Sequence, residues 1–231
     1  MNYTLTAGIF MLFSLTTFAQ ENRVITVNHL KDDMSHLTAS VFHYPGFVEG
    51  RVIFKDSVTV DAKMNYHRLY GQILFIGAKR DTLALANPET FHRVLIGTDT
   101  FYFFDKGFLR QVTHYPTHNL ALKQTIKYIG NEKQGPYGSY SAVSSSNSNS
   151  TVTTDDQITQ RIELNENLVY KFNNIFYISD AYNNYFRASK KNFYNLFSKH
   201  TSQIKEYLSI HEVSFDKQVD LVELLTYIKS L

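Results

Sequence analysis

The sequence predicts an α+β protein: mainly an antiparallel β meander, sandwich or barrel-like, with a C-terminal pair or trio of amphipathic helices packed on it. Three observations predict this. From Phe47 to about Phe186, apolar and polar residues alternate in run after run. Turn-forming residues close those runs at intervals of roughly 8–12 residues. Near Ala188 the period changes to three and four, which is the period of a helix.

The clearest strand is SVTVDAKMNY. Val58, Val60, Ala62, Met64 and Tyr66 fall on one face, and Thr59, Asp61, Lys63 and Asn65 on the other. LYGQILFIG ends at Gly77, DTLALA at Asn87-Pro88, FHRVLIG at Gly97 and TFYFF at Asp105-Lys106-Gly107. Gly, Asn, Asp and Pro stop strands because they tolerate or preset turn dihedrals. NLALKQTIKYIG puts Leu120, Leu122, Ile126 and Tyr128 on one parity. QITQRIEL does the same with Ile158, Ile162 and Leu164. Between them lies SAVSSSNSNSTVTTDD, residues 141–156, which has no apolar period. Strand character resumes unchanged beyond it. The tract therefore reads as the tip of a long hairpin, since a domain linker would separate two independent cores.

In the C-terminal part, Phe193, Leu196 and Phe197 fit one helical face, as do Ile204, Tyr207 and Leu208. Val219, Val222, Leu225 and Ile228 form a third such set. Ser189 and Asp216 are the expected N-caps. Asp220 and Glu223 lie early in the last helix and Lys229 late, as the helix dipole favours. Roughly 40 residues of helix are too few for an independent core, so they are expected to pack on the sheet.

The chain opens with a largely apolar run, Leu5 to Phe18, that ends in Thr17-Phe18-Ala19 with small residues at its first and third places. This reads as a secretory signal peptide. The expected organisation is a signal peptide at 1–19, a β domain at 20–186 with the Ser-rich tip at 141–156, and a helical segment at 187–231. The expected location is outside the cytoplasm: periplasmic, surface-associated or secreted. No later segment is long and apolar enough to span a membrane as a helix. Most strand runs are shorter than the roughly 9–11 residues of a membrane-spanning strand. The chain has no cysteine, which excludes thiol catalysis, cysteine-bound zinc and iron–sulfur clusters. Its formal net charge of +2 carries no footprint for nucleic acid.

Motifs for chemistry are sparse. His114 and His118 in HYPTH are four apart, the spacing of a helical metal motif. Pro116 lies between them and the context is strand-to-turn, so they read as surface loop histidines. His29, His36 and His43 are evenly spaced without a local ligand geometry. No G-x-S-x-G elbow occurs; Ser139 and Ser141 stand near glycine in a loop. GNEKQGPYG lacks the spacing of a phosphate cradle. Aromatics make up 15% of the chain, with no Trp. FYFF (101–104) and AYNNYF (181–186) read first as strands buried on both faces and only second as stacking platforms. Asn149-Ser150-Thr151 is a glycosylation sequon. Asp56-Ser57-Val58 and Asp81-Thr82-Leu83 resemble bacterial O-glycosylation acceptors, and equally ordinary turn pairs. No catalytic, cofactor-binding or metal residue is assigned, and no cofactor is expected. Tyr137 and Gly138, beside the Ser-rich tip, are the first region to mutate.

The ending TFAQ, Gly50 with Val52, Met64-Asn65-Tyr66, Tyr137-Gly138 and the helical tail KKNFYNLFSKHTSQIKEYL with VSFDKQVDLVELLTYI carry a likeness. On these residues the chain resembles an uncharacterised secreted protein family of Bacteroidetes-like bacteria. The resemblance covers most of the mature chain and implies export and a single unit. It implies no activity and no site residue. The expected function is therefore a non-catalytic binding or scaffold protein of the cell envelope, whose partner is an envelope protein or a small apolar ligand. Two alternatives stand beside it: a carrier of an apolar small molecule in a barrel-like cavity, and a hydrolase whose site is assembled only in the fold.

Overall fold

The period-two runs pair edge to edge. A computed structural model describes residues 24–28, 40–134, 140–143, 152–153, 159–160 and 166–231. Its strands are β1 (Val24–Asn28), β2 (Val48–Phe54), β3 (Thr59–His67), β4 (Gln72–Ile76), β5 (Thr82–Ala84), β6 (Phe91–Ile96) and β7 (Asp99–Phe104). They continue with β8 (Gly107–His114), β9 (Asn119–Gln134), β10 (Tyr140–Val143), β11 (Val152–Thr153), β12 (Thr159–Gln160), β13 (Glu166–Ser179) and β14 (Tyr185–Arg187). Three helices follow: α1 (Lys190–Leu196), α2 (Thr201–Ile210) and α3 (Gln218–Lys229).

The main sheet has the order β1-β13-β9-β8-β7-β6-β2-β3-β4-β5, with β10 added to β9 and β14 to β13. The pairings are antiparallel, joined mostly by short turns. β11 and β12 form a separate small pair. β9 and β13 pair antiparallel from Leu120↔Ile178 out to Lys133↔Glu166, with one register shift between Val169 and Tyr170. The central part of the Ser-rich tract and residues Ile158, Ile162 and Leu164 lie outside the described residues, as do the signal-peptide stretch, Tyr137, Gly138 and Asn149.

Turn chemistry fixes the register. Asp105 and Lys106 both take positive φ (45° and 59°), as a two-residue hairpin turn with the right twist requires. Gly97 turns β6 into β7 at φ +55°, a region where a side chain is strained. That turn delivers Asp99 to the start of β7, opposite Ile96.

The sheet is open, ending at β1 and β5, but it curls. Four strands separate β3 from β9 in the sheet order, yet the Ile126 N–H donates to Arg68 O (3.1 Å) and the Tyr66 hydroxyl to Gln124 O (2.8 Å). The hollow of the curl is filled: Val52, Met64, Tyr66, Ile73, Phe91, Val94, Ile96, Phe101 and Phe108 are buried there together. A second cluster joins sheet to helices. Leu120 and Leu122 of β9 and Phe176 and Ile178 of β13 pack against Phe193, Phe197, Ile204, Leu221, Leu224, Leu225 and Ile228. The helical tail thus lies on the sheet, as expected. The other face carries Leu109, Ala121 and Tyr185 with Tyr102, Phe104 and Tyr177. FYFF is accordingly buried from both sides: Phe101 and Phe103 join the curl, Tyr102 and Phe104 the opposite face.

Three sequence expectations change. Val58 and Val60 are exposed although they share the parity of Met64 and Tyr66. The outer half of β3 pairs with β2 on one side only, because β4 pairs it from Met64 onward. At its inner end both parities are buried, including Asn65 and His67, because segment 40–47 lies across it. In α3 the buried set is Leu221, Leu224, Leu225 and Ile228, while Val219 is exposed. The helix is apolar on much of its circumference, so periodicity alone left the buried face open, and packing on β9 and β13 chose it. Ser189 caps α1 as expected, its hydroxyl accepting from Asn192 N (3.3 Å). Asp216 does not cap α3: Lys217 holds that position, and Asp220 instead reaches back to accept from Ser214 N (2.8 Å).

Candidate functional site

Two polar constellations merit comparison. The first surrounds Asp99, at the rim of the curl. Its Oδ2 accepts from His43 Nε2 (3.1 Å) and from the Tyr44 hydroxyl, and its Oδ1 faces Arg110 Nη1 (3.3 Å). Burial pushes the Asp99 carboxyl up. The hydrogen bonds from His43 and Tyr44 and the charge of Arg110 outweigh this and hold it at about 2. The Tyr44 hydroxyl is pushed well above its usual value, by burial first and then by Asp99. On the other side of His43, Arg68 Nη2 donates to Nδ1 (2.9 Å). Arg68 also donates to Ser40 O (2.9 Å), Phe42 O and Gln124 Oε1 (2.6 Å).

An imidazole against a carboxylate is half of a hydrolase triad. The other half is blocked here. A catalytic base needs one ring nitrogen free to face a nucleophile, and both nitrogens of His43 are engaged, one by Asp99 and one by Arg68. The network therefore ties segment 40–47 to the sheet. Asn65 completes that tie. It is buried, its Oδ1 accepts from Tyr44 N (3.1 Å), and its Nδ2 donates to Tyr44 O and Gly46 O (both 2.9 Å).

The second constellation lines a cleft of about 340 Å³ where the β8–β9 turn meets the helices. Tyr115, Pro116, Thr117 and His118 come from the turn, Phe197 and His200 from the α1–α2 junction, and Leu225, Ile228 and Lys229 from the end of α3. The turn is a tight one, with Tyr115 N–H donating to His118 O (2.9 Å). Buried Asn119 anchors its base. Its backbone N–H donates to Ser179 Oγ (2.9 Å), its Nδ2 to Asn183 Oδ1 (2.9 Å), and its Oδ1 lies 2.6 Å from His114 Nδ1.

His118 rests on the ring of Phe197, with centroids 4.4 Å apart. Burial lowers its pKa, and the charge of Asp180 opposes that only in part. His118 Nδ1 is 2.6 Å from Thr117 Oγ1. His200 Nδ1 is buried with no hydrogen-bond partner. The Lys229 ammonium lies 5.8 Å from the centroid of the Tyr115 ring. The arrangement combines an apolar wall of Phe197, Leu225 and Ile228 with the polar side chains of Thr117, His118, His200 and Lys229, which is the make-up of a small-ligand site.

The structure separates the two histidines of HYPTH. His114 is exposed and turned to Asn119, whereas His118, in the same turn, is half-buried and lines the cleft. Sequence reasoning did not single out His200 or Lys229 as site residues. Their helical periodicity marked the elements they sit on, and nothing local linked them to HYPTH. His43 joins the Asp99 network, and His29 and His36 lie outside the described residues. Among the described residues, no group of three or more His, Asp or Glu is placed to hold a metal ion. Among the described residues, no helix is long and apolar enough to cross a membrane. In comparison with known proteins, no family model, curated protein or solved structure matches the chain.

Proposed function

We propose that the protein is an exported, non-catalytic binding protein of the cell envelope that holds its ligand in the cleft between the β8–β9 turn and the helices. The cleft carries this reading. Three separate parts of the chain build it, its volume of about 340 Å³ lies in the lower part of the usual range for small-molecule sites, and one of its lining residues, His200, has a ring nitrogen with no protein partner. Export rests on the apolar N-terminal run and the small residues before Gln20.

The cleft is not built as a catalytic centre. Thr117 and His118 lie in nucleophile-to-base contact, but no carboxylate holds the imidazole. Asp180, the nearby acid, is committed to its own turn, accepting from Tyr182 N, Asn184 N and Asn184 Nδ2 at 2.7–2.9 Å. A carrier reading with the ligand inside the curl of the sheet finds that hollow packed with side chains.

Native mass spectrometry of the mature protein, gently extracted from its own cell envelope, tests the proposal. A one-to-one small-molecule adduct is the expected result. A protein that emerges bare, or only within an assembly with another protein and no small molecule, overturns it.

A further inference from the structure

Resting on that reading, we propose that the cleft selects a small monoanion: a single carboxylate carried on a short apolar body. The charge inventory argues for the anion. Among the lining residues, Lys229 is the one full charge, His118 and His200 supply imidazole nitrogens, and no carboxylate is present. Lys229 forms no ion pair with any described residue and keeps its ammonium near the Tyr115 ring. Asp180, the acid that acts on His118, is outside the lining and already saturated by its own turn. A cation entering the cleft meets Lys229 with nothing to offset it.

The hydrogen-bonding groups point the same way. When the Thr117 hydroxyl donates to His118 Nδ1, the ring presents Nε2–H as a free donor. His200 lines the same cleft, and its Nδ1 is buried with no hydrogen-bond partner. His200 is also the N-cap residue of the ten-residue α2, with no side-chain cap bond, so the positive end of that helix dipole lies at the same place.

The number of cations limits the anion. One lysine and two imidazoles suit a single carboxylate. A phosphate dianion calls for more, as the Arg clusters and rows of backbone N–H groups in phosphate sites illustrate. The apolar body is set by Phe197, Leu225, Ile228 and Pro116, which offer the ligand a hydrocarbon wall opposite the polar atoms.

The test compares three probes that share one chain: octanoate, octanol and octylammonium. Each is titrated into the full mature protein at pH 7 and followed by amide chemical-shift changes in NMR. Octanoate is expected to shift residues 115–118, 197–200 and 225–229 and to bind at least about fivefold more tightly than octanol, as a charge-assisted hydrogen bond provides. Octylammonium is expected not to saturate. Lys229→Met keeps the length of the side chain and should erase the octanoate preference over octanol. Octanol binding in the cleft as tightly as octanoate overturns the selectivity for an anion and leaves the binding reading standing. Failure of all three probes to perturb the cleft at millimolar concentration overturns both.

Discussion

His67 is buried beneath segment 40–47, stacked on Tyr70 with centroids 4.2 Å apart and edge-on to Phe42 at 4.9 Å. Its Nδ1 accepts from Tyr70 N (3.3 Å), which suits a neutral ring. Burial lowers its pKa from 6.5 to about 4. A base whose folded pKa is depressed adds stability that is complete above the unfolded value and is lost as pH falls toward the folded one. Stability should therefore drop between about pH 6.5 and 4 by roughly 2 kcal/mol, after allowance for solvent at the ring edge. Asp99 adds a second, lower window. Its carboxyl is held at about 2 against 3.8, so its contribution is present above pH 3.8 and lost as pH falls toward 2. Urea unfolding across pH checks both: His67→Gln should flatten the upper window and leave the lower one. Asn65 supplies a different single-residue test. Replacing it with Leu removes its hydrogen bonds with Tyr44 N, Tyr44 O and Gly46 O and should lower stability by about 1–3 kcal/mol with an unchanged urea slope.

Among the elements, α3 shows how one helix divides its circumference. Leu224 is fully buried against the sheet, and Val219 faces outward. Leu224→Ala should cost about 2–5 kcal/mol, the range for a leucine truncated in a close-packed core. Val219→Ala should fall within about 0.5 kcal/mol of the parent. Equal effects in thermal unfolding would mean that the helix packs with a different face. Ser189 gives the matching test at the start of α1, where removal of its hydroxyl should cost about 1 kcal/mol. The long β9–β13 pair carries its own device. Its register shifts between Val169 and Tyr170, opposite Gly130 at φ +146°, and Ile129 is left exposed. This is a β-bulge, which bends the strand and adds twist.

Across the whole molecule, the helices and the sheet share one core. Leu120, Leu122, Phe176 and Ile178 of the sheet are buried together with Phe193, Phe197, Ile204, Leu221, Leu224, Leu225 and Ile228 of the helical tail. A chain truncated after Ala188, which removes all three helices, should expose those sheet residues, bind a hydrophobic dye and lose cooperative unfolding; retention of a sharp transition would show that the sheet is stable alone. The strand-rich body, the turn at Asp105-Lys106 and the helical tail were all legible in the sequence, because each follows from a local period or a local backbone preference. Burial was not legible in the same way. Val58 and Tyr66 share a parity and differ in exposure, since where a strand leaves the core depends on its neighbours and not on its own pattern. The cleft lay furthest from view. His118, His200 and Lys229 are far apart in the chain, and no motif joins them. By itself the sequence determined which segments are strands and which are helices, since a side-chain period is a property of neighbouring residues. Only the tertiary structure decided which faces meet, that the sheet curls without closing, and that a turn and two helix ends enclose one cleft. Those are long-range contacts, selected by the packing of the whole chain.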